Sequence, residues 1–233
     1  MIGILGAMSV EIDEIKSRIE QKKVESVGGF QFVRGLLSGK EVVAAECGIG
    51  KVNAAVCAQT MILTYHPELI INVGVGGSLN PALHYGDMAI ADRVVQHDFD
   101  TSPIGDPVGL VATVNRVYFD CDKQTVVCIK TVVDDMDGVY GMVGVIASGD
   151  QFVADAAVKQ RIVERFGAIC CEMEGGAISH ACLLAGVKCA VIRSISDNAD
   201  EGSTTDYGQF VKLAASRSTE VLCRVMERLS CEN

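Results

Sequence analysis

Ala168–Asp200 reads AICCEMEGGAISHACLLAGVKCAVIRSISDNAD, and its alternation decides the fold class. Ala168–Cys171 is a short apolar strand, Glu172–Leu184 a helix, and Lys188–Ile195 a second strand within the apolar run Val187–Ile195. Strand, helix and strand in succession argue for an α/β sheet with parallel strands. The stretch ends in Arg193–Asp200, which crowds one cation, two hydroxyls and two carboxylates together. Ligands of open α/β sheets bind beyond the carboxyl ends of the strands. An aspartate there, Asp197, is half-desolvated, so its pKa rises and it can donate a proton near neutral pH. On local sequence alone Asp197 reads equally well as the cap of a following helix.

Outward from this stretch the alternation persists. Met1–Leu5 is a strand ending in Gly6-Ala7-Met8, and Ser9 is placed to cap a helix with Ile12, Ile15 and Ile19 at helical spacing. Gly28–Leu37 and Glu41–Glu46 form a hairpin about Ser38-Gly39. Val52–Thr64 is an Ala-rich helix, Glu68–Val73 a strand opening into Gly74–Ser78, and Met88–Val95 another strand before a Gly/Pro/Asp-rich loop. Lys123–Met136 fits either strand or helix by pattern. Met142–Ala147 is a strand, Asp155–Phe166 an amphipathic helix, and Tyr207–Leu229 a closing helix. The expected architecture is a three-layer αβα sandwich around a mixed, mostly parallel sheet with an antiparallel hairpin insertion, formed by residues 1–233 as one domain.

Composition narrows the function classes. Of 233 residues 49% are hydrophobic and 21% charged, a globular balance. A formal net charge of −10 argues against nucleic acid and anionic membranes as partners. No apolar stretch reaches the roughly 18 residues of a membrane span, and no secretory signal is visible. Several of the ten cysteines (Cys57, Cys128, Cys170, Cys182, Cys189) lie inside apolar segments. They read as reduced thiols of a cytoplasmic protein, and the four histidines lack metal-ligand spacing with any of them.

Motifs for the commoner nucleotide chemistries fail on spacing. A dinucleotide fingerprint needs glycine at 79 or 53, where Leu79 and Asn53 stand. A Walker loop ending at Gly50-Lys51 needs glycine at 45, which is Ala45, and a hydroxyl at 52, which is Val52. No G-x-S-x-G elbow occurs. What survives is a set of strand-end clusters: Gly6-Ala7-Met8, Gly48-Ile49-Gly50, Gly74–Ser78, Ser148–Phe152, Cys171–Gly176 and Ser194–Asp200. Gathered on one edge of a parallel sheet, they make a pocket with Glu11, Glu172, Glu174, Asp197, one arginine and an aromatic. That suits a neutral, hydroxyl-rich, aromatic ligand. Glu172 reads best as a favourable charge at a helix N-terminus, and Glu174 admits the same reading.

The blocks Gly6-Ala7-Met8 with Glu11, Gly48–Val52, Ile70–Gly74, Ser148-Gly149-Asp150, Glu172-Met173-Glu174 and Ser194–Asp197 lie in order over about residues 1–229. Together they resemble the 5′-methylthioadenosine/S-adenosylhomocysteine nucleosidase family. The resemblance implies the nucleoside phosphorylase fold, a homodimer, no cofactor and no metal. It implies hydrolysis of the adenine–ribose bond of 5′-modified adenosines in methionine salvage, and it makes Lys123–Met136 a helix.

Carried over residue by residue, the resemblance puts Asp197 beside adenine N7 as general acid, oriented by Ser196, and makes Glu11 the general base for water. Two carboxylates across the bond follow the logic of inverting glycoside hydrolysis. Glu174 with Met173 matches a ribose-binding pair, Phe152 a stacking partner for the purine, and the Val153 backbone a reader of its edge. Gly77 marks a close backbone approach, with Ile49 and Tyr207 as further binding positions. Phe152 also reads as ordinary core. Arg193 either holds the water and the acids or serves as counter-ion to Glu174. The 97–109 loop is expected to reach the neighbouring subunit's site.

The pattern has departures. Val75 replaces a common serine, Tyr207 a common Phe, and Ile104 and Asp106 stand where aromatics are often found. Two rivals remain: a purine nucleoside phosphorylase of the same fold and a non-catalytic nucleoside-binding protein. Against the first, Asn72 stands where related phosphorylases place an Arg, and an acid at Glu11 repels phosphate while activating water. Against the second, a binding protein has no need of both an acid and a base.

Overall fold

The structure is a computed structural model that describes residues 1–200 and 202–229; Cys231 lies outside the described residues. In chain order the elements are β1 (Ile2–Gly6), α1 (Ser9–Arg18), β2 (Glu20–Val27), β3 (Phe30–Leu37), β4 (Lys40–Glu46), α2 (Lys51–Tyr65), β5 (Leu69–Asn72), β6 (Val75–Ser78) and β7 (Met88–Gln96). After a short 3₁₀ turn at Ser102–Ile104 come β8 (Tyr118–Asp120), α3 (Lys123–Asp134), β9 (Gly141–Ser148), α4 (Ala156–Phe166), β10 (Ala168–Glu172), α5 (Gly175–Ala185), β11 (Lys188–Asp197) and α6 (Ser203–Arg228).

The strands form one mixed sheet in the order β2-β3-β4-β1-β5-β11-β6-β10-β9-β7-β8. Parallel pairings outnumber antiparallel ones among the described residues, six to five, so the α/β sandwich with a mostly parallel sheet stands by a narrow margin. β11 organises it. Lys188–Val191 pairs with β5, Ile192–Ser194 with β7, and Ser194–Asp197 with β6. Because β7 also pairs with β9, β9 with β10 and β10 with β6, these five strands close on themselves. Nine of the ten residues of β11 are buried, as a strand covered on both faces requires. α2 packs on α5, while α1 and α3 both pack on α6.

Some expectations are corrected. β10 and β11 are not parallel neighbours: β6 separates them and β10 runs antiparallel to it, because β10 belongs with β9 while β11 continues the β1–β5 run. Val75–Ser78 is itself a strand, not a loop. β10 packs closely on it there, since a Cβ on Gly76 would stand 2.6 Å from Cys170 Sγ. The hairpin is a three-stranded meander, because exposed, polar β2 pairs with β3 and gives no alternating signal. Ser9 does not cap α1; the cap is Met8, and the Ser9 hydroxyl donates to Glu46. Lys123–Asp134 is helical despite its β-branched residues. Asp122 caps it by accepting the Thr125 N–H at 2.9 Å, and the helix buries Val126, Ile129 and Val133 along one face.

Candidate active site

The strand ends meet around a cavity of about 390 Å³. Ala7 and Met8 enter after β1, Glu11 from the first turn of α1, Ile49 after β4, and Val75–Gly77 from β6. Gln151, Phe152 and Val153 follow β9, Cys171 and Glu172 end β10, Met173 and Glu174 join it to α5, Ser196 and Asp197 end β11, and Tyr207 comes from α6. Four carboxylates lie in this lining, and it contains no Lys, Arg or His.

Asp197 is buried, and burial pushes its carboxyl above the ordinary value. The Ser196 hydroxyl donates to its Oδ2 at 2.9 Å and the Ala199 N–H to its Oδ1 at 3.0 Å, which opposes the rise and fixes the carboxyl plane. Gly77 lies close by: a Cβ there would stand 2.8 Å from Asp197 Oδ1. Asp197 therefore caps no helix with its carboxylate in the way local sequence allowed; α6 starts at Ser203.

Glu11 is a buried carboxylate at the third position of α1. Its Oε2 accepts the Ala7 and Met8 N–H groups at 2.8 and 3.0 Å, and its Oε1 accepts that of Val75 at 2.9 Å. A carboxylate has about four acceptor sites, so three backbone donors leave one, on Oε1. Burial still raises its pKa, against the opposing pull of Arg193 and these donors.

Glu172 and Glu174 diverge in role. Glu172 Oε2 accepts the Glu174 and Gly175 N–H groups at 2.9 and 2.7 Å, together with Arg193, while Ser148 bonds its Oε1. It satisfies the start of α5. Glu174 Oε1 accepts the Gly50 N–H at 2.9 Å. Burial, reinforced by the neighbouring Glu172 charge, pushes the Glu174 carboxyl up to about 7. Arg193 is 1% exposed and does not line the cavity. Its guanidinium is held by Glu172, by Asn72 Oδ1 at 2.5 Å and by the Ile192 carbonyl at 2.9 Å.

The apolar wall pairs Phe152 with Tyr207 edge to face, ring centroids 5.7 Å apart. The Tyr207 hydroxyl donates to Met8 Sδ at 3.2 Å. Phe152 is 43% exposed, so it is not ordinary core, whereas Val153 is buried. The structure thus brings together Glu11, Ile49, Gly77, Phe152, Val153, Met173, Glu174, Ser196, Asp197 and Tyr207, and sets Arg193 behind them. Sequence reasoning assigned no binding position to Met8, Gln151 or Cys171, although each lies inside a strand-end cluster. Among the described residues no group of three or more His, Cys, Asp or Glu is arranged to hold a metal ion.

A model of the phosphorylase superfamily matches residues 1–227. A 5′-methylthioadenosine/S-adenosylhomocysteine nucleosidase of Halalkalibacterium halodurans is 36% identical over 98% of this chain and 98% of its own. The structure of the nucleosidase of that name from Neisseria meningitidis, in complex with methylthio-immucillin-A, matches with a TM-score of 0.94 at 32% identity, covering 98% of this chain and 99% of its own. The futalosine hydrolase of Helicobacter pylori matches with a TM-score of 0.93 at 34% identity, covering 98% and 97%.

Proposed function

The chain belongs to the phosphorylase superfamily and, within it, to the 5′-methylthioadenosine/S-adenosylhomocysteine nucleosidases, and from that premise we propose that it hydrolyses the N-glycosidic bond of both nucleosides to release adenine. The observation that supports hydrolysis over phosphorolysis is the lining itself, four carboxylates without a cation. Phosphate entering such a cavity would lose its hydration and meet carboxyl groups with no cation to offset its charge. The nearest arginine, Arg193, is committed to Glu172 and Asn72 behind the wall.

In this reading Asp197, whose hold on a proton burial strengthens, gives that proton to adenine N7 as the bond breaks, and Ser196 holds it in line. General acid help of this kind is worth about 10²–10⁴-fold. Glu11 uses its remaining acceptor site to take a proton from the attacking water, with three backbone donors holding it still. Glu174 accepts from the ribose hydroxyls and sets negative charge beside the developing oxocarbenium ion. Met173 packs against the sugar, Phe152 stacks on the base, and the Val153 backbone reads its edge. Gly77 lets the base approach β6 closely. Ile49, Met8 and Tyr207 flank the 5′ substituent.

The same reading takes residues 1–233 as one cytoplasmic domain acting in methionine salvage, with no helix long and apolar enough to cross a membrane among the described residues. It pairs two copies so that the 97–109 loop reaches the neighbouring site; Ile104 in that loop is 83% exposed and does not line its own chain's cavity. The test is a side-by-side assay of purified protein on 5′-methylthioadenosine, S-adenosylhomocysteine, 5′-deoxyadenosine, futalosine and inosine. Adenine release from the first two is expected. Release of a base from futalosine or inosine alone would overturn the assignment.

A further inference from the structure

Three segments that the sheet topology brings together are tied by a closed ring of polar contacts outside the cavity lining. Lys51 Nζ donates to Asp98 Oδ1 at 2.6 Å, Asp98 Oδ2 accepts the Asp150 N–H at 2.8 Å, and Asp150 Oδ1 accepts the Lys51 N–H at 2.7 Å. Asp98 opens the 97–109 loop, Lys51 begins α2, and Asp150 begins the segment that carries Phe152 and Val153. The ion pair is well shielded, with 17% and 28% side-chain exposure. Although burial works to raise its pKa, Lys51 and the Asp150 N–H hold the Asp98 carboxyl below its ordinary value.

The ring substitutes for something the local sequence lacks. The cap of α2 is Gly50 at φ +92°, which has no side chain to accept the first helical N–H groups. Asp150 accepts one of them, that of Lys51, from another loop, and a negative charge at a helix N-terminus is favourable. A side chain at 50 would crowd it, since a Cβ there would stand 3.0 Å from Asp150 Oδ1. Capped in this way, the turn aims the Gly50 N–H at Glu174. One ring therefore touches both halves of the ligand site, the donor on Glu174 through Gly50 and the aromatic wall through Asp150.

We propose that Asp98 and Lys51 are positioning residues that lock the Gly50 N–H onto Glu174 and the Phe152–Val153 wall into a single arrangement, so that sugar and base are held together. This rests on the reading of Glu174 and Phe152 as ribose and adenine contacts. Opening the ring frees both segments at once. It also weakens a hydrogen bond that favours the ionised form of Glu174, which moves the acid limb of kcat/KM to higher pH.

The experiment compares wild type with Asp98→Ala, Lys51→Met and Lys51→Arg, all on 5′-methylthioadenosine, with hydrogen exchange followed over residues 48–51 and 150–153. Asp98→Ala and Lys51→Met should raise KM about tenfold, with a smaller loss in kcat. They should move the acid limb upward and speed exchange in both segments together. Lys51→Arg, which keeps the cation, should recover most of the KM. If Asp98→Ala does not fold, Lys51→Met decides. Unchanged KM, acid limb and exchange would overturn the proposal, as would exchange speeding in one segment without the other. Should wild type itself release no adenine, the functional reading falls and exchange alone decides the ring.

Discussion

The Arg193 guanidinium stands 3.8 Å from the Glu174 carboxylate although both side chains are buried, and its direct bond goes to Glu172 instead. Glu174 is therefore only partly compensated. Its pKa, pushed to about 7 first by burial and then by Glu172, follows from that offset.

Activity should accordingly depend on pH through Glu174. In the proposed role the ionised form is the one that accepts from ribose, so kcat/KM should fall as pH drops below about 7. Glu174→Gln should abolish that limb and lower kcat/KM by about 10²–10³-fold. The sign for stability is opposite. A carboxyl whose folded pKa is raised contributes stability below its ordinary 4.5 that is lost as pH rises through about 7. Thermal melts across this range should therefore slope downward in wild type and flatten in Glu174→Gln.

Asp197→Asn should cost about 10²–10⁴-fold in kcat while leaving the affinity for an uncleavable adenosine analogue within a few-fold. Ser196→Ala should cost less. Losing the Ser196 donor raises the Asp197 pKa, so the alkaline limb of the rate profile should move to higher pH. A limb that stays in place would sever the link between the two residues.

Gly77→Ala inserts a methyl 2.8 Å from Asp197 Oδ1 and 3.0 Å from the Ala199 Cβ. It should destabilise by about 1–3 kcal/mol and depress kcat by displacing the carboxyl. Gly208→Ala, in open space on α6, should instead stabilise by about 0.5–1 kcal/mol. Urea unfolding separates the two.

Arg193→Met should destabilise by about 3–5 kcal/mol, because it leaves Glu172 buried without its cation. Adding Glu172→Gln should recover part of that loss. Full additivity of the two substitutions in urea unfolding would refute their coupling.

Much of this was legible in the chain. The largely apolar runs 2–6, 69–72 and 188–195 are strands because such sequence, without a polar face, demands burial on both faces. The strand-end clusters converge because the topology delivers those ends to one cavity. The failures have physical causes too. β2 is polar and exposed, so only its pairing with β3 makes it a strand. The direction of β10 against β11 depends on ring closure among five strands, which no local pattern encodes. Arg193 lies four residues before Asp197, which regular alternation would place on the same face, but the register shift between Ile195 and Asp197 breaks that alternation, and Asn72 and Glu172 hold the guanidinium behind the wall. The Lys51–Asp98–Asp150 ring joins residues far apart in sequence and leaves no spacing to read.

In the proposed reaction water, activated at Glu11, is the nucleophile. Adenine release from 5′-methylthioadenosine should proceed at full rate in phosphate-free buffer and yield free 5-methylthioribose, with no gain when phosphate is added. Release that begins only with phosphate, and yields 5-methylthioribose 1-phosphate, would contradict it.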